Sequence, residues 1–304
     1  MALKLSVVIC AHNPQLLYLE RVLQALKEQT LPLVAWEILL VDNRSIEPLA
    51  DKVDLSWHPA SRHVREDELG LTPARLRGIS ESKGELIVFV DDDNVLDPDY
   101  LAEAIRIDEA YPFLGVWGAG SIAAEFETRP QPWVHAFLQE LAVRQVEGIR
   151  WSNDVSDWLA TPVGAGQCVR RLVADRYREE ILQDPGRRAL DRRGSSLSGA
   201  GDLDLAYTSR RFELGWGNFP TLRMIHLIPS VRTTESYILK ISEAASESQV
   251  LLGQKIGRPR PAVQPFLIRS LRACSIAFRQ GLIYMRIFLA KQRGIAKGLK
   301  ELSE

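Results

Sequence analysis

Two periodicities alternate along the first hundred residues. Residues 5–10, 36–41 and 86–90 are nearly continuous apolar runs, the pattern of strands covered on both faces. Between them, residues 14–29 place Leu16, Leu19, Val22, Leu23 and Leu26 at helical spacing. Residues 72–82 read as a second helix, with Thr72 as cap and Pro73 in its first position. A short strand is expected near residues 63–65, and a helix over 97–110 with Asp97 as cap and Pro98 in its first position. This alternation predicts an α/β fold: a Rossmann-like, mostly parallel sheet with helices on both faces. Ligands of such sheets bind outside the carboxyl ends of the strands. Asn13, Asp42 and the run Asp91-Asp92-Asp93 all fall there.

Beyond Phe113 the pattern weakens. Residues 113–161 read as irregular cover with one helix over 134–144, residues 164–169 as an inner strand or turn, and 171–181 as a helix. A small-residue loop, 194–201, leads into a helix from Asp202 to about Leu214, which Gly215 and Gly217 are expected to stop. A strand over 222–228 carries His226, and a helix covers 234–252. A linker rich in Pro and Gly spans 253–265, followed by one helical segment over 266–297. The reading is a main domain over 1–252, with halves 1–112 and 113–252, then the linker and a basic amphipathic extension over 266–304.

The chain has 304 residues, enough for one large domain with an appendage. Thirty-eight Lys and Arg against 39 Asp and Glu leave a formal charge of −1, which excludes global steering toward nucleic acid. Cys10, Cys168 and Cys274 have no metal-ligand spacing and suit a reducing compartment. Neither signal-peptide anatomy nor a membrane-spanning run is present, so a cytoplasmic protein is expected.

Three adjacent carboxylates repel one another and are a poor choice for stability. At the mouth of a buried strand they suit a divalent cation, Mn²⁺ or Mg²⁺, shared with phosphate oxygens; a solvated acidic turn is the plainer alternative. Five motifs occur in one order: Ser6-Val7-Val8-Ile9-Cys10-Ala11-His12-Asn13, Ile38-Leu39-Leu40-Val41-Asp42-Asn43-Arg44-Ser45, Pro73-Ala74-Arg75-Leu76-Arg77-Gly78-Ile79, Gly84-Glu85-Leu86-Ile87-Val88-Phe89-Val90-Asp91-Asp92-Asp93 and Gly201-Asp202-Leu203-Asp204-Leu205. The ordered set resembles the family 2 glycosyltransferases, which have the GT-A fold, over about residues 4–250. The resemblance implies an inverting, metal-dependent transfer of a sugar from a nucleotide diphosphate donor. By family habit that donor is a UDP-sugar, with guanosine and thymidine open. The implied acceptor is a hydroxyl of a glycan or lipid-linked glycan, in cell-envelope or extracellular polysaccharide synthesis.

Residue by residue, the resemblance implies that Asp42 binds the base or ribose, with Asn13 and Arg75 beside the nucleotide. Leu76 departs from the family, which has asparagine there. Asp91 and Asp92 lie toward the nucleotide, and Asp93 is the first metal ligand with Asp91 next. His226 matches a histidine that some GT-A enzymes place on the metal, and Arg232 could reach the diphosphate. His12 packs near the donor without chemistry. Asp202 is the expected base, because an inverting transfer must deprotonate the attacking hydroxyl. Gly201 stands where the family has glutamate, so that acidic pair is incomplete. Asp204 is the alternative base or an acceptor contact. Each also has a plain structural reading: an N-cap for Asp202, a strand-end turn for Asp42, a core histidine for His226, surface arginines for Arg75 and Arg232.

In the extension, Arg272, Arg279, Arg286 and Arg293 recur every seven residues among apolar side chains. Such a helix either lies on an anionic membrane surface, peripheral on the inner face of the plasma membrane, or packs on the main domain or a second subunit. Two rival functions remain. One is a sugar-nucleotide nucleotidyltransferase, which would carry a glycine-rich loop where Ala11-His12-Asn13-Pro14 stands. The other is a catalytically silent homologue that binds a nucleotide or a partner.

Overall fold

The three apolar runs become β1 (Leu5–Ala11), β2 (Trp36–Asn43) and β4 (Leu86–Asp91) in a computed structural model, which describes residues 3–194, 196–262 and 265–303. Parallel pairing in the order β3 (Ser61–Glu66), β2, β1, β4 sets Ala11 beside Asp42 and Cys10 beside Asp91, so the strand ends are level. Side chains alternate between two cores. Leu5, Val7 and Ile9 join α1 (Leu16–Lys27) and α3 (Tyr100–Ala110), while Val8 faces α2 (Leu71–Glu81), α4 (Arg171–Gln183) and α6 (Gly201–Thr208).

The second half adds a mixed continuation: β9 (Cys168–Arg170), β6 (Leu114–Phe126), β10 (Gly215–Ile228) and β5 (Asn94–Leu96). Short β7 (Arg144–Gln145) and β8 (Arg150–Ser152) pair with β6 and β10. The 13-residue β6 corrects the expectation of irregular cover over 113–161. The helix expected over 134–144 is a kinked 3-10 segment, Pro132–Leu141. Gly215 and Gly217 lie inside β10 and do not stop a helix; α6 ends at Thr208, and a 3-10 turn closes at the left-handed Glu213. Two caps also shift. Gly70 caps α2, which places Thr72 within the helix, and Asp99 precedes α3. Asp97 instead pairs with Arg223 at 2.8 Å.

Short α5 (Pro185–Arg188) follows α4, and the long α7 (Glu235–Lys255) is capped by the Thr234 hydroxyl, which accepts the Tyr237 N–H. The single helix expected over 266–297 is two, α8 (Phe266–Gln280) and α9 (Leu282–Glu301), because Gly281 takes a φ of 105° that other residues avoid. α9 packs on α7: a side chain at Gly294 would collide with the Glu243 carbonyl, and Ile287 joins Ile238 and Ile228 in a third core. Residues 195 and 263–264 of the expected loop and linker lie outside the described residues.

Candidate active site

A cleft of about 550 Å³ opens at the level ends of β1 and β4. Its described lining includes Asn13, Arg75, Asp91, Asp92, Asp93, Asp202, His226 and Arg232. The structure thus gathers eight of the ten side chains singled out in the sequence, drawn from residues more than 200 positions apart. Asp42 and Asp204 are not among the described lining residues.

The antiparallel pairing of β5 with β10 brings His226 to Asp93. His226 is opposite Asn94, and the Leu227 N–H donates to the Asp93 carbonyl at 2.9 Å. His226 Nδ1 stands 2.9 Å from the Leu141 carbonyl oxygen, which can only accept, so Nδ1 carries the hydrogen. Nε2 then offers its lone pair, 3.5 Å from Asp93 Oδ2 and 3.2 Å from Arg232 Nη1. Arg232, on the 3-10 turn after β10, also reaches Asp93 Oδ2 at 2.9 Å. Burial alone would raise the Asp93 carboxyl; His226, when it carries a proton on Nε2 as well, outweighs it together with Arg232 and Arg192 and holds it at about 2.

Asp91 and Asp92 are different. Among the described residues neither carboxylate takes a hydrogen bond or an ion pair. Burial, then the charges of Asp93 and Asp91, pushes Asp92 up to about 8; burial and Asp93 also raise Asp91. Both line the cleft without a partner among the described residues, and a bound cation would favour their ionised form.

Among the described residues no set of three or more His, Cys, Asp or Glu side chains stands close enough to share a metal ion, so Asp91, Asp93 and His226 are not a ready-made cage. Asp93 and His226 still fit a divalent cation as two ligands. One is an oxygen, the other a nitrogen lone pair aimed toward it, and such ions usually complete their shell with water and phosphate oxygens. Arg232 touches both atoms and fills the same role of positive charge.

Asp202 lies in the first turn of α6, where Ala200 is the cap residue, so it is not the N-cap. Its Oδ2 accepts the Gly164 N–H and its Oδ1 the Leu203 N–H, each at 2.8 Å. Burial raises its carboxyl, and Arg75 pulls it back. Arg75 is buried and paired with Asp191 at 2.9 Å. Asp204 is not among the cleft lining, and its two oxygens share the single Arg187 Nε–H at 3.0 and 2.9 Å. Asp42 ties down the loop after β2: it accepts the N–H groups of Ser45 and Leu49 and pairs with Arg65 at 2.6 Å. Asn13, in the left-handed conformation, bridges to that loop through the Ser45 hydroxyl and the Ile46 N–H. His12 Nδ1 donates to the Asn43 carbonyl at 2.7 Å.

The sequence reading missed four contributors. Asp191, Arg192 and Arg193 come from the loop before α6, and Tyr237 from α7. A charged Asp-Arg-Arg triplet beside a small-residue loop was the available signal.

Known proteins resemble this chain at two levels. The model of the family described as Glycosyl transferase family 2 matches residues 6–153. That stretch contains Asn13, Asp42, Arg75 and Asp91 to Asp93, and ends before Asp202, His226 and Arg232. The Bacillus subtilis (strain 168) protein named "Putative glycosyltransferase EpsH" is 25% identical over 163 residues, 49% of this chain and 45% of its own length. The chain thus matches less than half of that relative. The mannosyltransferase PcManGT from Pyrobaculum calidifontis, solved with GDP-Man and Mn²⁺, is similar over 99% of this chain and 88% of its own, with a TM-score of 0.62 at 15% identity. The mixed sheet with its helical layers is the GT-A glycosyltransferase fold, and residues 6–153 match the glycosyl transferase family 2 model.

Proposed function

We propose that the chain is an inverting glycosyltransferase that moves a sugar from a nucleotide diphosphate donor to a hydroxyl of a glycan or lipid-linked glycan. The observation that carries this reading is one cleft with a carboxylate at each end of the chemistry. Asp93 with His226 would face the departing diphosphate, and Asp202, which lines the same cleft, would serve as the base. The nucleotide half falls to Asn13 and Asp91, with Asp42 holding the loop on which Asn13 rests. Asp202 takes the acceptor hydroxyl proton while that oxygen attacks the anomeric carbon opposite the departing diphosphate, so the centre inverts. Burial raises the Asp202 carboxyl, which makes its carboxylate the stronger base. Asp93 and His226 Nε2 would hold a divalent cation, which when bound offsets charge gathering on the departing diphosphate. PcManGT, similar in fold, was solved with GDP-Man and Mn²⁺, which supports a sugar nucleotide and a cation of this kind.

Nucleotide release from UDP-, GDP- and dTDP-sugars, with Mn²⁺ or Mg²⁺ present, tests the reading. Asp202→Asn should lose about 10²-fold or more in kcat while donor binding persists. Wild-type turnover in Asp202→Asn removes it as the base. Nucleotide binding with no turnover of any donor by the wild type would establish the silent homologue.

The extension suits an anionic lipid surface, reached through α8. α9 has committed its cations to the main domain: Arg286 pairs with Glu235, Lys291 with Glu140, and Arg293 and Lys297 with Glu243. α8 has not. Leu267, Leu271 and Phe278 form one stripe on it, and Phe278 is 94% exposed. Arg272 and Arg279 flank the stripe, and no acidic residue occurs from Leu251 to Lys300 against eleven Lys and Arg. An apolar stripe edged by cations fits the boundary between acyl chains and anionic headgroups. No helix among the described residues is long and apolar enough to cross a membrane.

A further inference from the structure

We propose that Asp191 is a positioning residue for the transfer: its carboxylate fills the space beside Gly201 and anchors Arg75 so that the guanidinium stays off Asp202. The inference rests on the transferase reading with Asp202 as base.

The geometry is specific. Asp191 Oδ1 accepts the N–H of Arg192, its own neighbour, at 2.9 Å, and Oδ2 takes Arg75 Nη1 at 2.9 Å. Both side chains are about 95% buried, at 5% and 4% exposure. A Cβ added at Gly201 would run into Asp191 Oδ2 and lie 2.8 Å from its Cγ and 2.9 Å from its Cβ. Those atoms are held at both oxygens and cannot swing aside. Residue 201 is therefore without a side chain because a carboxylate from the preceding loop already occupies the place. The site has an acid at this point, and it comes from residue 191.

Arg75 connects this acid to the base. A Cβ at Gly164 would collide with Arg75 Nη2 and lie 3.3 Å from the Asp202 Cβ, so the guanidinium, the 164 backbone and Asp202 are stacked in contact. The Gly164 N–H in turn holds Asp202 Oδ2. Asp202 faces Arg75 from α2, Asp191 from the loop, the N–H groups of Gly164 and Leu203, and more distantly Arg144 of β7. Of these, Arg75 is the one positive group close enough to pair with it directly. A guanidinium has five donors in a rigid fork, and a buried one seeks a carboxylate. With Asp191 present the fork is engaged there. Without it, Asp91 and Asp202 are the carboxylates left facing the guanidinium, and pairing with Asp202, which packs against it at Gly164, would occupy the lone pairs that must accept the acceptor's proton.

The test compares Asp191→Asn, Asp191→Ala and the double variant Asp191→Ala with Gly201→Glu. Each is read by kcat, donor KM, the pH profile of kcat/KM and a thermal melt. Asp191→Asn and Asp191→Ala should lower kcat at least tenfold with donor KM within threefold, and move the acid limb to lower pH as Arg75 turns to Asp202. The double variant, which returns a carboxylate to the same space from α6, should recover most of kcat, the acid limb and the melting temperature lost in Asp191→Ala. An Asp191→Asn chain with wild-type kcat and acid limb overturns the proposal, as does a double variant that recovers melting temperature alone. A wild type that turns over no donor overturns the transferase reading and the positioning role with it. An active wild type beside an indifferent Asp191→Asn overturns the positioning role only.

Discussion

Replacing Arg232 by methionine removes the positive charge that touches both Asp93 and His226 and leaves the aliphatic stem. Two unit charges about 4 Å apart at an effective dielectric near 20 attract by about 4 kcal/mol. Stripping the partner from a buried carboxylate costs about 3–5 kcal/mol. Arg232 is 22% exposed against 8% for Asp93, so water recovers part of this, and about 2–3 kcal/mol is the expected loss. At about 2.1 cal/mol/K per residue, a chain of 304 residues unfolds with an entropy of about 0.6 kcal/mol/K. In EDTA the variant should therefore melt about 3–5 °C below the wild type. Mn²⁺ should then do more for the variant than for the wild type, because Asp93, Asp92 and Asp91 have lost their internal cation. Mn²⁺ at one hundred times its Kd stabilises by about 2.7 kcal/mol, enough to return about 4 °C. Thermal melts of both proteins with EDTA and with Mn²⁺ measure all four values. Equal melting temperatures in EDTA, or equal Mn²⁺ shifts in the two proteins, would refute the view that Arg232 and a divalent cation serve the same carboxylate.

Three further outcomes are expected. Burial, partly offset by Arg187, pushes Asp204 up to about 6. The folded protein thus binds more protons than the unfolded one between about pH 4 and 6, and its stability should fall across that window as pH rises, by about 3 kcal/mol. Urea melts at pH 4 to 7 should show that slope flattened in Asp204→Asn; an unchanged slope removes Asp204 as its source. Sedimentation with phosphatidylglycerol vesicles should retain the wild type and release Leu271→Glu with Phe278→Glu, whereas phosphatidylcholine vesicles retain neither. Retention unaltered by the two glutamates refutes lipid docking through α8, as does a light-scattering dimer that the same variant dissolves. Gly294→Val forces a branched side chain into the Glu243 carbonyl and should cost about 1–3 kcal/mol, read as a melt about 2–5 °C lower; an unchanged melt would mean that α9 contributes little by packing on α7.

The first hundred residues were legible because each strand there is buried on both faces and each helix on one, so the two periods stand out. β6 was not, because its two halves obey different rules. From Leu114 to Gly120 it is buried throughout, and from Ser121 to Phe126 exposure returns on alternate residues, so neither pattern lasts long enough to register. Asp202 and Asp204 were both offered as the base, yet residues two apart on a helix point about 200° from each other, and only one could face the cleft. The structure gives the cleft to Asp202 and Arg187 to Asp204. The seven-residue arginine stripe assumed a continuous helix; the break at Gly281 turns Arg286 and Arg293 onto Glu235 and Glu243 and leaves Arg279 outside. Nothing local joins His226 to Asp93. Their meeting depends on antiparallel pairing across about 130 residues, which periodicity does not encode.

On the proposed transfer, the charge balance of the cleft would couple a cation to a diphosphate. Six acidic side chains and four arginines line it. Two of those arginines are already engaged, Arg75 by Asp191 and Arg232 by Asp93, whereas Arg192 and Arg193 make no side-chain ion pair among the described residues. Lys291 pairs with Glu140, and Asp92 is pushed up to about 8, so the repulsion that a sugar nucleotide diphosphate with its two negative charges would meet alone comes from Asp91 and Asp93. A divalent cation alone meets Arg232 on its two best ligands. Arriving together, the pair would be neutral: Asp93 and His226 would hold the cation with phosphate oxygens beside it, and Arg232 would gain phosphate as a new partner. Each must then raise the affinity of the other by the same factor, since coupling between two sites is reciprocal. On this account Arg232 is a gate for the cation, opened by the donor.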